Sequence, residues 1–542
     1  MGDKMNSGTP SYRADVLIVG SGPIGATFAR KLVDGGSSVV VVDAGAQLSA
    51  RPGQNLKNSY IYQHNPDLFE PVIRSHLHVL SIPPSARAEL AVDPSAFPEL
   101  GDNPSNARNA ENPEQNPYRN IPAAAACYAV GGMATHWTCV CPRHHPTMER
   151  YNGIAADEWD RYYTEAEQLL GVQQGVFDHS VRQTLLIDAL RREFSELPAE
   201  YQVQDLPLAV NRIPNNPRMV KWTGVDTILG DLADPGGDPE RFRILQEHLC
   251  NRLVRDSDGS RIEYAEVRDL VGMRTVRIYA DHYVVACGAV LTPQLLWASE
   301  IRPEPLGRYL TEHPTVFCQV VLLRDLVDRI EGDERFTEAL RAHRRLYPDD
   351  TLPIPCADPA PNIWIPVTEG RPWHAQINRD AFHYADLVPH VDTRLIMDLR
   401  WFGMVDPRPD NRVWFSDRYT DVHGMPQPTF DFTFSSEDAA RLHAMMAEML
   451  RAAMAIGGFL GGSEPSFPTP GLPLHIAGTV RMGEDPDTSV VDTNSRVWGF
   501  ENLYLGGNGL LPTSTASNPT LTSVAIALKA ADRMVEKHYT AS

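Results

Sequence analysis

The stretch ADVLIVGSGPIGATFARKLVDGGSSVVVVDAG, residues 14–45, decides the fold of this 542-residue chain. Apolar runs at residues 16–19 and 39–42 flank a helical pattern, and this order predicts a β-α-β unit. Gly20, Gly22 and Gly25 form the pattern G-x-G-x-x-G where the first strand turns into the helix. The stretch therefore predicts an α/β fold with a nucleotide-binding turn near its start.

Each glycine of this turn has a separate physical task. Gly20 permits the tight turn, Gly22 lets the backbone approach a pyrophosphate, and Gly25 allows the helix to pack on the strand. The helix N-terminus then offers N–H groups to the phosphates. Asp43 follows the second strand, where a carboxylate can hold ribose hydroxyls. This order predicts a dinucleotide site; the alternative is a glycine-rich turn without a ligand.

Later segments return to the same domain and favour FAD over NAD. A strand, a Gly-Ala turn and a helix follow at residues 284–296, and NLYLGGNG follows at 502–509. Gly507 and Asn508 would bring backbone N–H groups near the ribityl chain and phosphates. The last helix begins around Thr520, with its positive end toward the flavin. We predict a Rossmann-like FAD-binding domain assembled from residues 12–50, 120–146, 240–320 and 468–540.

The remaining segments predict a substrate-binding domain with an antiparallel β-sheet and helices, formed by residues 51–119, 147–239 and 321–467. TRLIMDLRWFG (393–403) and NRVWFSD (411–417) alternate as strands of that sheet would. A long helix is expected at 436–456. Residues 51–120 are interpreted as an excursion over the nucleotide domain, with one good helix in 66–80.

Composition and charge exclude several classes of partner. The net charge of -20 argues against nucleic acid and anionic membranes as partners, and a neutral substrate is expected. No run approaches the roughly 18 apolar residues of a membrane span, and the polar N-terminus lacks a signal-peptide core. We therefore predict no membrane association and a cytoplasmic location. Seven scattered cysteines indicate reduced thiols rather than a disulfide framework.

The loop AVGGMATHWTCVCPR, residues 129–143, first suggests a metal site. His136, Cys139 and Cys141 are spaced His-x-x-Cys-x-Cys, which is not a common zinc spacing, and no second ligand cluster lies nearby in the sequence. We predict no metal, and nothing supports a redox pair of cysteines. From its residues alone, His136 is a loop histidine, while His144 and His145 are interpreted as surface loop residues.

Five motifs carry a resemblance to a known family. They are VGGMATHWTC (130–139), WHAQINRDAFHY (373–384), MPQPTFDF (425–432), LHIAGTVRMG (474–483) and NPTLT (518–522). In this order the chain resembles the glucose-methanol-choline (GMC) oxidoreductases, and within that superfamily the pyranose oxidase family. The resemblance covers nearly the whole chain.

The resemblance implies FAD as the cofactor. His136 matches the histidine that the family bonds to the 8α-methyl group of FAD, and non-covalent FAD is the alternative. Thr138 matches the threonine beside flavin N5, and Cys250 stands where the superfamily backbone contacts adenine. The expected cofactor-binding residues are Gly20, Gly22, Gly25, Asp43, Gly131, Gly132, Thr135, His136, Trp137, Thr138, Cys250, Gly507, Asn508 and Thr520.

The resemblance also implies the catalytic pair. His475 matches the base that takes the hydroxyl proton of an alcohol, and Asn518 matches the amide that assists it. Without the resemblance, His475 would be interpreted as a strand-end histidine. The expected substrate-binding residues are Gln376, Asn378, Asp380, Phe382 and Tyr384. Asn378 and His383 depart from the usual histidine and serine, which leaves the sugar preference open.

The implied activity is FAD-dependent oxidation of a secondary hydroxyl, at carbon 2 or carbon 3 of a pyranose sugar or glycoside. Reduced flavin would pass its electrons to dioxygen, giving hydrogen peroxide, or to a quinone. The alternatives are a C-glycoside 3-oxidase and, more remotely, a lyase or a flavin-binding protein without redox turnover. The segment 325–361 is compact and charged where fungal members of the family carry a larger region with oligomerisation features. The resemblance therefore does not imply their tetramer, and we expect a monomer or small homo-oligomer.

Overall fold

The glycine-rich stretch at the start of the chain forms the middle of a seven-stranded sheet. The structure is a computed structural model that describes residues 10–84, 111–378 and 391–541. The expected substrate residues Asp380, Phe382 and Tyr384 lie outside these ranges.

The β-strands are β1 (Ser11–Val19), β2 (Val39–Val42), β3 (Leu77–Val79), β4 (Ala125–Cys127), β5 (Gln204–Asp205), β6 (Val210–Ile213), β7 (Asn216–Trp222), β8 (Phe242–Leu245), β9 (His248–Arg255), β10 (Ile262–Asp269), β11 (Arg274–Val285), β12 (Thr315–Leu322), β13 (Asn362–Ile365), β14 (Trp373–Asn378), β15 (Ile396–Gly403), β16 (Arg412–Thr420), β17 (Pro426–Asp431), β18 (Gly457–Phe459) and β19 (Leu503–Leu505). The α-helices are α1 (Pro23–Asp34), α2 (Tyr60–His64), α3 (Pro66–Arg74), α4 (Ala156–Leu170), α5 (Val181–Glu193), α6 (Val225–Leu229), α7 (Gly288–Ala298), α8 (Arg324–Asp328), α9 (Thr337–Leu346), α10 (Ser436–Ile456) and α11 (Thr520–Ala541).

The first sheet has the order β8-β2-β1-β11-β10-β9, with β19 also paired to β11. Strands β8, β2, β1, β11 and β19 run parallel and end in register. Val19 pairs with both Val42 and Val285, and Val285 pairs with Leu505. Ligands of such sheets bind beyond the carboxyl ends of the strands. The predicted β-α-β unit and its two returning segments are thus confirmed, and together they form one binding edge.

The second sheet has the order β18-β12-β15-β14-β13-β5, and its neighbouring strands are antiparallel. Helix α10 packs against β12, β15 and α5, and these elements share a hydrophobic core. The helix spans the predicted residues, 436–456, and begins with a capping box between Ser435 and Asp438. The predicted antiparallel sheet is confirmed for the segment 393–403, which supplies β15.

Residues 411–417 form the predicted antiparallel strand, but this strand does not lie in the second sheet. They belong to β16, which pairs with β17 in a separate antiparallel hairpin. The hairpin packs on α7 instead: the Phe415 and Trp297 rings lie 6.1 Å apart, in a core that also contains Phe430. Alternation shows that one face of a strand is buried, but it does not show which element covers that face.

The expected helix in residues 66–80 ends earlier than its pattern suggests. Helix α3 stops at Arg74, and β3 then pairs with β4, which leads into the loop 129–143. In β3, Leu77 is buried and His78 is exposed, which is the alternation of a strand. Within the described ranges, no helix is both long and apolar enough to cross a lipid bilayer.

Candidate active site

The three glycines after β1 shape an open turn at the binding edge. Gly20 has φ +99°, and an added Cβ would lie 2.5 Å from the carbonyl oxygen of Ala286. A Cβ on Gly25 would collide with the carbonyl oxygen of Gly20. Gly22 differs, because no protein atom would lie within 4 Å of its Cβ among the described residues. The turn therefore packs tightly at Gly20 and Gly25 and leaves room for a ligand at Gly22, which is the N-cap of α1.

Asp43 is fixed beside this turn. Its Oδ2 accepts hydrogen bonds from the backbone N–H and the hydroxyl of Ser21, at 2.9 and 2.6 Å, and its Oδ1 accepts from Gly45 N at 2.8 Å. Burial raises the pKa of this carboxyl above its ordinary value, and the three hydrogen bonds offset only part of that rise. Asp43, Gly20 and Cys250 line one cavity, which is the arrangement that a nucleoside end requires.

The C-terminal segments complete the edge. Gly507 follows β19 with φ +112°, and a Cβ there would have no described atom within 4 Å. The Asn508 side chain accepts a hydrogen bond from Ser523 Oγ at 2.8 Å, which ties this turn to α11. Thr520 is half-buried at the start of that helix. Gly507 therefore offers the same open approach on this side of the edge that Gly22 offers on the other.

The loop 129–143 lies against the glycine turn. Gly131 N donates to Ser21 Oγ at 2.9 Å, and a Cβ on Gly131 would lie 2.5 Å from Gly53 Cα. A Cβ on Gly132 would lie 3.5 Å from Gly22 Cα. The excursion around residue 53 and the loop thus approach each other and the turn at backbone distance, as the paired glycines require.

His136 is buried in this loop with one ring nitrogen engaged. Thr135 Oγ1 donates to Gly132 O at 2.8 Å and lies 3.0 Å from His136 Nδ1. Because the hydroxyl proton is used, Nδ1 carries the ring proton and donates to Thr135. Nε2 is buried and has no hydrogen-bond partner among the described atoms. Burial lowers the pKa of His136 to about 3, so the ring is neutral and Nε2 keeps a lone pair.

The second half of the loop packs against the end of β7. Trp137 Nε1 donates to Thr223 O at 2.7 Å, and Cys139 Sγ lies 3.5 Å from the same oxygen. Cys139 and Cys141 are buried, whereas Thr138 between Trp137 and Cys139 is half-buried. In the described ranges, metal-ligating atoms converge only at His343, Asp350 and Cys356, in another part of the chain.

The predicted catalytic residues meet. Asn518 Nδ2 lies 3.3 Å from His475 Nε2, and Gln376 Nε2 donates to Asn518 Oδ1 at 2.7 Å. Burial lowers the pKa of His475 to about 4, so its imidazole is neutral near pH 7. The ring of Phe402 packs 5.9 Å from that of His475. A neutral imidazole beside a fixed amide is suited to accept a hydroxyl proton.

The two described substrate residues lie on β14. Gln376 contacts Asn518 as stated, and Asn378 is buried with its Oδ1 accepting from Arg400 on β15. In the antiparallel pairing of β14 with β15, Gln376 lies opposite Arg400 and Asn378 lies opposite Asp398. Asp380, Phe382 and Tyr384, which follow β14, lie outside the described residues.

Residues 144–149 support the segment that carries Asn518. The prediction that His144 and His145 lie at the surface is wrong, because they are only 1% and 7% exposed. The cause is Glu149, whose Oε1 accepts from the backbone N–H groups of Ala516 and Ser517, at 2.9 and 2.8 Å. Its Oε2 accepts from His145 N at 2.7 Å. These hydrogen bonds to the buried Glu149 carboxylate hold residues 144–149 in the interior. No local sequence pattern indicates this, because the partners lie far away in the sequence.

Sequence reasoning also missed two neighbours of His475. His313 Nδ1 lies 3.1 Å from His475 Nδ1, and Glu312 Oε1 accepts from the backbone N–H groups of both histidines, at 2.9 and 3.1 Å. Burial raises the pKa of Glu312 to about 8. The two residues precede β12 in an ordinary Glu-His-Pro sequence, and only the fold shows that they lie beside the catalytic pair.

Comparison with known proteins gives the family models and relatives that this chain matches. Two family models, both described as GMC oxidoreductase, match residues 141–315 and 407–527. The chain is 41% identical to a pyranose 2-oxidase of Tricholoma matsutake, over 97% of this chain and 94% of that protein. It is 34% identical to a C-glycoside 3-oxidase of Microbacterium trichothecenolyticum, over 97% of both. A formate oxidase structure from Aspergillus oryzae matches with TM-score 0.67 over 98% of this chain and all of that one, at 13% identity, which supports the fold alone.

Proposed function

Because this chain belongs to the GMC oxidoreductase family, we propose that it oxidises a secondary hydroxyl of a pyranose sugar or glycoside with FAD as its cofactor. The observation that carries this proposal is the contact between His475 and Asn518 in a buried site next to Gln376. The site has the parts that alcohol oxidation needs: a neutral base, an amide donor and a polar neighbour for sugar hydroxyls.

The residues present fit FAD. Gly22 and Gly507 leave open space at the binding edge, Asp43 and Cys250 share a cavity there, and His136 keeps a buried nitrogen without a partner among the described atoms. When bound, FAD supplies the acceptor for the hydride that leaves the carbinol carbon. Asp43 and Cys250 would hold the nucleoside end, Gly22 the phosphates, and the loop with His136 the flavin end.

The chain's own residues handle the hydroxyl proton. His475 Nε2 accepts it as the carbon–hydrogen bond breaks, and the low pKa of His475 keeps that nitrogen unprotonated at neutral pH. Asn518 Nδ2 carries two hydrogens, and without substrate one of them faces His475 Nε2. When the substrate hydroxyl takes that place on Nε2, Asn518 can donate to the oxygen that loses its proton. Gln376 holds Asn518 through its Oδ1. Burial of this group keeps bulk water from competing for the proton.

We further propose that His136 Nε2 would hold FAD through a bond to its 8α-methyl carbon. This bond would replace one C–H bond of the methyl group, with the proton released to solvent and the two electrons passing to dioxygen. The support is chemical: this nitrogen is unprotonated, buried and without a partner in the described part of the chain. Non-covalent binding in the same loop is the alternative, and acid precipitation separates the two.

We propose carbon 2 as the site of oxidation, because the identity to the pyranose 2-oxidase, 41%, exceeds that to the C-glycoside 3-oxidase, 34%. Carbon 3 of a glycoside is the second candidate. Product analysis after reaction with glucose and with an aryl C-glycoside decides between them: a 2-keto sugar from glucose supports the first, and a 3-keto product from the glycoside alone supports the second. A lyase would leave the flavin oxidised with every substrate.

The electron acceptor and the assembly belong to the same proposal. We propose dioxygen as the acceptor, giving hydrogen peroxide, with quinones as the competing acceptor class. Oxygen consumption compared with quinone-dye reduction under matched sugar concentrations tests this. We propose a monomer or small homo-oligomer, because the segment 325–361 is compact and charged, and gel filtration with light scattering tests the assembly. We propose a cytoplasmic location because none of the seven cysteines, all of which lie in the described ranges, forms a disulfide.

A further inference from the structure

The second histidine of the site, His313, faces the catalytic base with a matching atom. The two Nδ1 atoms lie 3.1 Å apart, and the rings meet nearly edge to face, with centroids 4.9 Å apart and planes at 70°. At this distance one Nδ1 must carry a proton and the other must offer a lone pair. The contact therefore fixes the ring tautomers of His313 and His475. The other hydrogen bonds of the two rings decide which Nδ1 is the donor.

The direction follows from Asn518. Its Oδ1 accepts from Gln376, so its Nδ2 is the atom that faces His475 Nε2 and donates to it. Nε2 of His475 is then unprotonated, and the ring proton lies on Nδ1, which donates to His313 Nδ1. His313 in turn carries its proton on Nε2, which lies 3.1 Å from Thr515 Oγ1. The hydrogen bonds form one chain from Gln376 through Asn518, His475 and His313 to Thr515.

Glu312 links the two backbone segments that carry His313 and His475. Its Oε1 accepts from the N–H groups of both His313 and His475, although these residues come from distant parts of the sequence. His313 is 2% exposed and Glu312 is 2% exposed, so neither group exchanges its partners with bulk water. The Nδ1 atoms and the backbone N–H groups of His313 and His475 are thus all held by hydrogen bonds. A histidine that only filled space in a hydrophobic core would need none of these bonds.

We propose that His313 is a positioning residue, which holds His475 in the tautomer with an unprotonated Nε2. The hydrogen bond from His475 Nδ1 to His313 becomes stronger once Nε2 has taken the substrate proton. This inference rests on the proposed role of His475 as base. In the transfer the substrate O–H bond breaks, an N–H bond forms at Nε2, and the positive charge on the ring makes the bond from Nδ1 to His313 charge-assisted. The two electrons of the breaking carbon–hydrogen bond leave with the hydride.

Other titratable groups around the pair do not replace this role. His374 on β14 is engaged through Nδ1 by Trp364 Nε1, at 3.1 Å, and its ring stacks on Phe402. His144, in the segment 144–149 that supports the segment of Asn518, is a further neighbour of His313. Glu312 contacts His313 and His475 through their backbone N–H groups. Burial lowers the pKa of His313, His374 and His144, so each is neutral beside His475 near pH 7.

The test is the rate of anaerobic flavin reduction by sugar, measured against pH, in the holoenzyme and in His313→Leu, His313→Asn and His179→Leu. His179 is exposed beside Asp178, outside the chain of hydrogen bonds and outside the cavity that His313 lines, so His179→Leu is the matched control. We expect His313→Leu to lower the plateau rate by about 10- to 100-fold, as loss of a hydrogen bond to a charged group does. Its acid limb should move to lower pH, because His475 becomes a weaker base. His313→Asn keeps an acceptor oxygen and should recover part of both effects.

Equal losses in His313→Leu and His313→Asn with an unmoved acid limb would show a packing role and overturn the proposal, as would an unchanged rate in His313→Leu. Imidazole ¹⁵N shifts of His475 give a readout that needs no turnover: the Nδ1–H tautomer should dominate in wild type and lose population in His313→Leu. If no sugar or glycoside reduces wild-type flavin, the proposed function fails, and these shifts still decide whether His313 positions His475.

Discussion

Asn518 Nδ2 lies 3.3 Å from His475 Nε2, and this contact joins two segments that enter the site from different elements. His475 lies between β18 and β19 in the sequence, and Asn518 stands just before α11. Gln376 from the second sheet completes the group through Asn518 Oδ1. Because the binding edge and the substrate sheet both contribute, the site forms only when the two are correctly packed.

The tether to FAD is tested by acid precipitation. Because His136 Nε2 is buried and unprotonated, with no partner among the described atoms, we expect wild-type protein to precipitate as a yellow pellet and His136→Ala to give a colourless pellet with FAD in the supernatant. Flavin absorbance of pellet and supernatant measures the outcome. A colourless wild-type pellet would contradict the covalent bond and leave non-covalent FAD.

The glycine turn predicts a matched pair of variants. Gly25→Ala should destabilise the fold by about 1–3 kcal/mol or more, because its Cβ would collide with the carbonyl oxygen of Gly20. Gly22→Ala should leave the fold stable, since its Cβ meets no described atom within 4 Å, but should reduce FAD content. Urea unfolding and the flavin-to-protein absorbance ratio separate these effects. Full FAD occupancy in Gly22→Ala would argue against phosphate binding at this turn.

Glu149 offers a test of the support beneath Asn518. In Glu149→Ala the buried N–H groups of Ala516, Ser517 and His145 lose their acceptor, so we expect a loss of about 2–4 kcal/mol in the free energy of unfolding. The rate of flavin reduction should fall as well, because the segment that carries Asn518 loses its anchor. Glu149→Gln keeps one acceptor oxygen and should lose less of both. A variant with wild-type stability would contradict this role.

Stability should fall on acidification below pH 6.5. His374 and His475 are buried with pKa values lowered to about 3 and 4, so the unfolded chain binds their protons first as pH falls. Each one costs about 1.4 kcal/mol per pH unit between 6.5 and its folded pKa. Glu312 acts oppositely, because its pKa is raised to about 8: its contribution grows as pH falls from 8 toward 4.5.

Urea unfolding of the holoenzyme at pH 7, 6 and 5 measures this dependence. His374→Gln should reduce the slope by about 1.4 kcal/mol per pH unit, whereas the exposed His443→Gln should leave it unchanged. An equal slope in wild type and His374→Gln would show that His374 is protonated in the folded protein.

The sequence predicts the binding edge well because its signals are local. Strand, glycines, helix and Asp43 follow one another, and the motif around His475 together with Asn518 carries a family pattern. His313, Glu312 and Glu149 escape prediction, because each acts through groups far away in the sequence and has no spacing that marks it. The packing of the hairpin of β16 and β17 could not be predicted for a similar reason. The alternation around Phe415 predicts a buried face, but it does not predict that Trp297 packs on that face.

Anaerobic single-turnover reduction distinguishes a reaction in which His475 takes the substrate proton as FAD receives the hydride from one in which His475 takes no part. With glucose or an aryl C-glycoside in excess, wild-type flavin absorbance should bleach. His475→Ala should bleach at least about 10²-fold more slowly while retaining bound FAD, since general base catalysis contributes on the order of 10²–10⁴. Bleaching of His475→Ala at the wild-type rate would contradict the account.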